Sequence, residues 1–264
     1  MSYQTISYQK SGGVGIITLN RPEANNAFNI ELATAMADVC SEINQDQEIR
    51  VVTVTGAGET FSIGTDWSNP PAMPGKNRET PPRWESGAKS WSVATAVSRL
   101  DCPVIAAING DALGQGLELA LACDLRIAAE TANLGLTHIA SGFIPWDGGT
   151  QRLPRLVGRA KAMEMLLLGE TVSAREAYRL GLVNKVVQLK ELLPVVNDMA
   201  QRMASSAPLA LRYVKEAVYK GLDLTLEEGL RLETDLYAIL QTTEDRAEGI
   251  TSFLKKRQPK FKGK

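Results

Sequence analysis

Histidine is almost absent from this chain: His138 is the only one in 264 residues. The three cysteines, Cys40, Cys102 and Cys123, have no CxxC spacing and lie in apolar surroundings. This excludes a disulfide framework and predicts buried, reduced thiols in a reducing compartment. No run of 18 apolar residues occurs, and the opening "MSYQTISYQK" has no apolar h-region, so neither a membrane span nor a signal peptide is expected. A formal net charge of −1 gives no reason to expect nucleic acid or a membrane surface as a partner, although the tail "KKRQPKFKGK" is locally basic. The expectation is a cytoplasmic protein with no metal site.

What is present is ordinary for a globular chain, 44% apolar and 22% charged. Its length suffices for a large core, as one domain with an appendage or as two domains. "VGIITL" (14–19) and the β-branched "VVTVTG" (51–56) read as strands, and "VIAAING" (104–110) as a third. Between the first two, Leu32, Met36, Val39 and Ile43 recur at 4-3-4 spacing, one stripe of an amphipathic helix. Strand, helix and strand in this rhythm predict an α/β fold of parallel units with helices outside. The segment 70–88, rich in Pro, Gly and charge, reads as a long loop over a site or as a disordered insertion. After residue 157 the sequence reads as wholly helical.

Five stretches together resemble the crotonase (enoyl-CoA hydratase/isomerase) superfamily, in the family's order and over almost the whole chain. They are "ITLNRPEANNAFN", "TGAGETFSIGTD", "AAINGDALGQGLELALACDLRIA", the long stretch from "IPWDGGTQRL" to "LVNKVV", and "TEDRAEGITSFLKKR". The resemblance implies repeated ββα units forming a spiral core over residues 1–200. It also implies a C-terminal helical region, 201–264, that makes homotrimers or dimers of trimers. It implies an enolate held by two backbone N–H groups, here assigned to Ile63 in "SIGTD" and Gln115 in "GQG". Without the family, both stretches would read only as tight glycine turns. Two preorganised donors in a dry pocket stabilise such a transition state by about 3 kcal/mol each.

The departures from the family pattern single out the site. Glu118 matches the first of the hydratases' two glutamates, but the second falls on His138. Where hydratases read "IPGAGG", this chain has Trp146 and Asp147. A bent loop between them could bring Asp147 to His138, fixing the imidazole tautomer and leaving the other nitrogen as a base for water. Imidazole as a class titrates near 6.5, against about 4.3 for a glutamyl carboxyl, and so is the stronger base. Asp147 could instead simply cap the helix that follows it.

A His and an Asp at these places resemble the 6-oxocamphor hydrolase type of β-diketone hydrolase, which uses no coenzyme A. That resemblance implies retro-Claisen cleavage of a small cyclic diketone without any cofactor. His138 and Asp147 would activate water, Glu118 would relay the proton, and Trp67, Phe143 and Trp146 would line the pocket. Glu244 would reach a neighbouring site or, alternatively, cap a helix behind Thr242 or Thr243. Gln115 departs from that type, which carries a second histidine at the oxyanion turn. The absence of a cation after Asp66, in "DWSNPP", also points away from coenzyme A, although Lys255 and Lys256 could meet a phosphate. Two other functions stay open: an acyl-CoA hydratase or isomerase with His138 as base, and an inactive binding protein on the same fold.

Overall fold

The computed structural model describes residues 3–68 and 92–264. The expected loop at 70–88 lies outside them. β1 (Ile6–Ser11) and β2 (Val14–Leu19) form an antiparallel hairpin across Gly12 and Gly13, whose φ of 56° and 80° suit glycine. α1 (Ile30–Gln45) starts where the Asn29 side chain accepts the Leu32 N–H, and its stripe of Leu32, Met36, Val39 and Ile43 is buried. β3 (Val51–Gly56) runs parallel to β2. After α2 (Val93–Ser98), β4 (Val104–Ile108) runs parallel to β3.

β5 (Ala112–Leu113) leads into α3 (Gln115–Ala122), β6 (Leu125–Ala129) and β7 (Asn133–Gly135). A 3-10 turn, Thr137–Ser141, precedes α4 (Gly149–Val157) and α5 (Arg159–Leu168). Then come β8 (Val172–Ser173), α6 (Ala174–Arg179), β9 (Lys185–Val187) and α7 (Leu189–Ala204). The chain closes with α8 (Pro208–Gly221), α9 (Leu226–Leu240) and α10 (Glu244–Leu254).

The large sheet has the order β1-β2-β3-β4-β6-β9, and a small one the order β5-β7-β8. Successive side chains of the central strands face opposite ways. Val52 and Val54 of β3 join the cluster under α1, whereas Val51, Ile105 and Ile127 meet Leu192, Val196 and Ala200 of α7. Helices therefore cover both faces, which is why these strands read as continuous apolar runs. Burial also pushes the Cys40 and Cys123 thiols up to about 12, in keeping with inert, reduced cysteines. Among the described residues, no helix is long and apolar enough to cross a membrane.

Two expectations need correction. The region after 157 is not wholly helical: β8 and β9 interrupt it, and Lys185–Val187 forms the outer strand of the large sheet, paired with Ile127–Ala129 of β6. Three residues between long helical runs carry too little periodicity to register as a strand. The predicted strand at 104–110 stops at Ile108. The Asn109 side chain instead accepts the Gly56 N–H at 3.1 Å and so ties the ends of β3 and β4 together.

This tie brings the segment after β3 against the start of α3. Ser62 bridges to Ala112, with the Ser62 N–H on the Asp111 carbonyl and the Leu113 N–H on the Ser62 carbonyl. Gly116 makes the contact sterically possible, because a Cβ there would sit 2.3 Å from the Ser62 carbonyl oxygen. Gly116→Ala is expected to destabilise the protein by about 3 kcal/mol, since backbone cannot yield as a side-chain end can. The urea midpoint measures this, and an unchanged midpoint would show that the two segments can separate freely.

Candidate active site

All eight residues of α3 are buried, Glu118 among them with no solvent exposure. A carboxylate in such a place needs donors. Its Oε1 accepts two backbone N–H groups, from Asp147 at 2.8 Å and from Gly149 at 2.7 Å. Gly149 is the first residue of α4, so the carboxylate sits at the positive end of that helix. The turn that supplies these donors relies on Gly148, at φ 105°, and on Gly149, where a Cβ would meet Pro145 at 2.8 Å. Arg152 closes the turn by donating to the Asp147 carbonyl at 2.7 Å.

The other Glu118 oxygen faces the histidine. His138 lies in the 3-10 turn, 5% exposed, with Nε2 3.2 Å from Glu118 Oε2. The approach is close, but the angle is not that of a hydrogen bond, so Glu118 Oε2 and both His138 ring nitrogens are buried without a partner. An unsatisfied buried polar atom costs about 1–3 kcal/mol, and three in one place mark a site built for something other than stability.

Asp147 does not orient His138. Its carboxylate is taken up by the start of α2: Ala94 N–H at 2.7 Å on Oδ2, with Thr95 N–H at 3.0 Å and the Thr95 hydroxyl at 2.7 Å on Oδ1. The expected His138–Asp147 hydrogen bond is therefore replaced by two separate arrangements. His138 meets Glu118, and Asp147 caps a helix. The capped helix is α2, more than fifty residues upstream, and not α4, whose first N–H goes to Glu118. Local sequence could indicate a cap but not which helix would receive it.

The donor expected at Ile63 has a partner within the chain. The Ile63 N–H donates to the Asn25 carbonyl at 3.2 Å and is engaged. Two residues on, Thr65 is held by Phe28, which donates to the Gly64 carbonyl and accepts from the Asp66 N–H. Backbone groups alternate in direction along an extended segment, so the Thr65 N–H points away from Phe28. The Thr65 hydroxyl meets Gln115 Oε1 at 3.2 Å, and the ideal Cβ position of Gly64 lies 2.8 Å from the Gln115 nitrogen. Thr65, which sequence reasoning missed, thus stands with Gln115 at the start of α3. The available signal was the residue after the glycine of "SIGTD" rather than the one before it.

Of the remaining candidates, Trp67 and Phe143 stack on each other, 4.9 Å between ring centroids at 20°, and so join the segment carrying Thr65 to the one carrying His138. Trp146 is half-buried beside Asp147. Glu244 opens α10 on the surface behind its Thr243 cap, with Lys262 as its ion partner, and within this chain it belongs to the C-terminal region. Asp66 is held below the usual carboxylate range by the Ser68 hydroxyl and by Arg21, 2.9 Å away, so it anchors its loop.

Burial pushes the Asp147 carboxyl up to about 6, against the lowering effect of its bonds from Thr95 and Ala94. The unfolded chain releases this proton near 3.8, so between pH 4 and 6 the native state binds more protons and stability falls as pH rises. The gap between 3.8 and about 6 corresponds to about 3 kcal/mol. The pH slope of the urea midpoint across that window should be steeper in the wild type than in Asp147→Asn. Identical slopes would contradict the raised value.

The model of the enoyl-CoA hydratase/isomerase family matches residues 9–264. Crotonyl-CoA hydratase of Syntrophomonas wolfei is 38% identical over 265 residues, covering 99% of each chain. (E)-benzylidenesuccinyl-CoA hydratase of Thauera aromatica is 40% identical, covering 98% of this chain and 99% of the relative. The crystal structure of enoyl-CoA hydratase from Bacillus anthracis superposes with a TM-score of 0.90 at 40% identity, over 99% of this chain and 100% of that one. These full-length likenesses to acyl-CoA hydratases overturn the β-diketone hydrolase expectation, retro-Claisen cleavage included, and the missing His138–Asp147 bond removes its main support. By sequence and by fold, the chain belongs to the enoyl-CoA hydratase/isomerase family, within the crotonase superfamily.

Proposed function

We propose that this enzyme adds water across the double bond of an enoyl-CoA thioester. The observation that carries the proposal is the buried pair of Glu118 Oε2 and His138 Nε2, 3.2 Å apart and otherwise unpartnered. Hydration needs one proton removed from water and one delivered to carbon, and two titratable groups side by side can do both. The pair enters the cycle holding one proton. Its proton-free member takes a proton from water as the water oxygen bonds to Cβ. The electron pair of the double bond shifts towards the thioester oxygen, giving an enolate. The other member then delivers its proton to Cα, and proton passage across the short gap restores the pair.

The Thr65 and Gln115 N–H groups are proposed to hold the enolate oxygen, Gln115 at the positive end of α3. Because one Glu118 oxygen is fixed by two N–H groups, only Oε2 faces the reaction. Trp67, Phe143 and Trp146 are proposed to pack against the acyl end. Coenzyme A enters as part of the substrate, and the chemistry asks for no other cofactor. Purified protein should hydrate crotonyl-CoA, and His138→Ala should lower kcat by about 10³-fold with little loss of stability. Turnover of a bicyclic 1,3-diketone with none of crotonyl-CoA would overturn the proposal.

The C-terminal region is proposed to assemble the chain into trimers or paired trimers. Val214 and Val218 on α8, Leu222 just after it and Leu226 at the start of α9 are each more than half exposed, as are Phe253 and Leu254 at the end of α10. Large apolar side chains left this exposed on the last three helices call for a partner. Sedimentation at micromolar concentration should give a trimer or a hexamer, and a monomer would contradict the assembly.

A further inference from the structure

Asp147 uses every polar group it has. Its N–H holds Glu118, its carbonyl accepts from Arg152, and its carboxylate accepts three bonds from α2. It is 2% exposed and has no solvent to fall back on. α2 contributes two N–H groups of its first turn, those of Ala94 and Thr95, and the 145–149 turn contributes the anion that satisfies them. The same turn then presents the Asp147 and Gly149 N–H groups to Glu118 Oε1. The chain of contact is unbroken from α2 through one side chain and its own backbone to the reactive carboxylate.

We infer that Asp147 is a positioning residue: by tying the start of α2 to the turn at 145–149, its carboxylate fixes the aim of the two N–H groups that hold Glu118, and so turns Glu118 Oε2 towards His138. A cap serving only stability would not need its own amide in the active site, nor would it lie one residue pair from a helix start that also holds Glu118. The kinetic part of this inference rests on the hydratase activity proposed above. The geometric part does not, because it concerns the surroundings of His138 alone.

Four proteins test it: Asp147→Ala, Asp147→Asn, Thr95→Val and the Thr95→Val/Asp147→Ala double variant. Misaiming a reacting group by about 1 Å can cost about 10²-fold. With crotonyl-CoA, Asp147→Ala should therefore lose about 10- to 100-fold in kcat with KM within about twofold. Asp147→Asn should regain part of that loss, since its carbonyl oxygen still accepts from α2. Thr95→Val removes one hydroxyl and no charge, and should cost about threefold in kcat. The double variant should be no worse than Asp147→Ala, because both changes break one unit.

A second readout needs no turnover. His138 is the only histidine, so its ring gives the only imidazole signals in a carbon–proton correlation spectrum. These signals should move in Thr95→Val, where no charge has changed, and further in Asp147→Ala. Should Asp147→Ala fail to fold, Thr95→Val carries the test. Unmoved His138 signals in both variants, with kcat within twofold of wild type and only the urea midpoint lowered, would make Asp147 a structural cap and overturn the inference. Wild-type protein inert towards crotonyl-CoA would count against the hydratase proposal, and the His138 signals would still decide the positioning role.

Discussion

Much of this structure follows from holding one ionisable side chain, Glu118, out of water. Its Oε1 is satisfied by the Asp147 and Gly149 N–H groups, while Oε2 is left against His138. A buried carboxylate with no partners is too costly to keep, and one with every partner satisfied would be inert. Satisfying half of it fixes its direction and leaves the other half facing His138. The 145–149 turn, with its left-handed Gly148 and its crowded Gly149, exists in this form because two amides must converge on one oxygen.

The fold brings the remaining groups to that carboxylate through tight backbone contacts. Gly110 and Gly116 sit where any Cβ would strike the 59–62 backbone, so the segment after β3 lies directly on the start of α3. That packing places Thr65 beside Gln115, and the Trp67–Phe143 stack draws the same loop to the turn that carries His138. Both sheets act as the frame: the 59–65 loop follows β3 of the large sheet, whereas the start of α3 and the His138 turn follow β5 and β7, which pair in parallel in the small sheet. Positions near the chemistry are thus fixed by glycine and backbone, and the aromatic contacts finish the wall.

Strands β2, β3 and β4 and helix α1 were legible because their apolar periodicity is local and strong. β9 was not, since three residues gain their identity from pairing with β6, a long-range fact. The site residues divide in the same way. Glu118 and His138 could be placed from motif position, and their meeting agrees with it. Asp147 was singled out as unusual but assigned to the wrong partner, because the first N–H it accepts, that of Ala94, lies 53 residues earlier in sequence. Ile63 was the expected donor and Thr65 went unnoticed for a similar reason. Which N–H of an irregular loop faces the pocket depends on its neighbours, Asn25 and Phe28, and not on the loop's own sequence.

The most direct test of this account is a crystal structure with a non-hydratable short-chain acyl-CoA analogue bound. The thioester oxygen should lie within hydrogen-bond distance of the Thr65 and Gln115 N–H groups, about 2.7–3.2 Å, with the carbons next to it facing Glu118 Oε2 and His138 Nε2. An analogue seated elsewhere, or with its thioester oxygen turned away from both N–H groups, would contradict the assignment of Glu118 and His138 as the reacting pair.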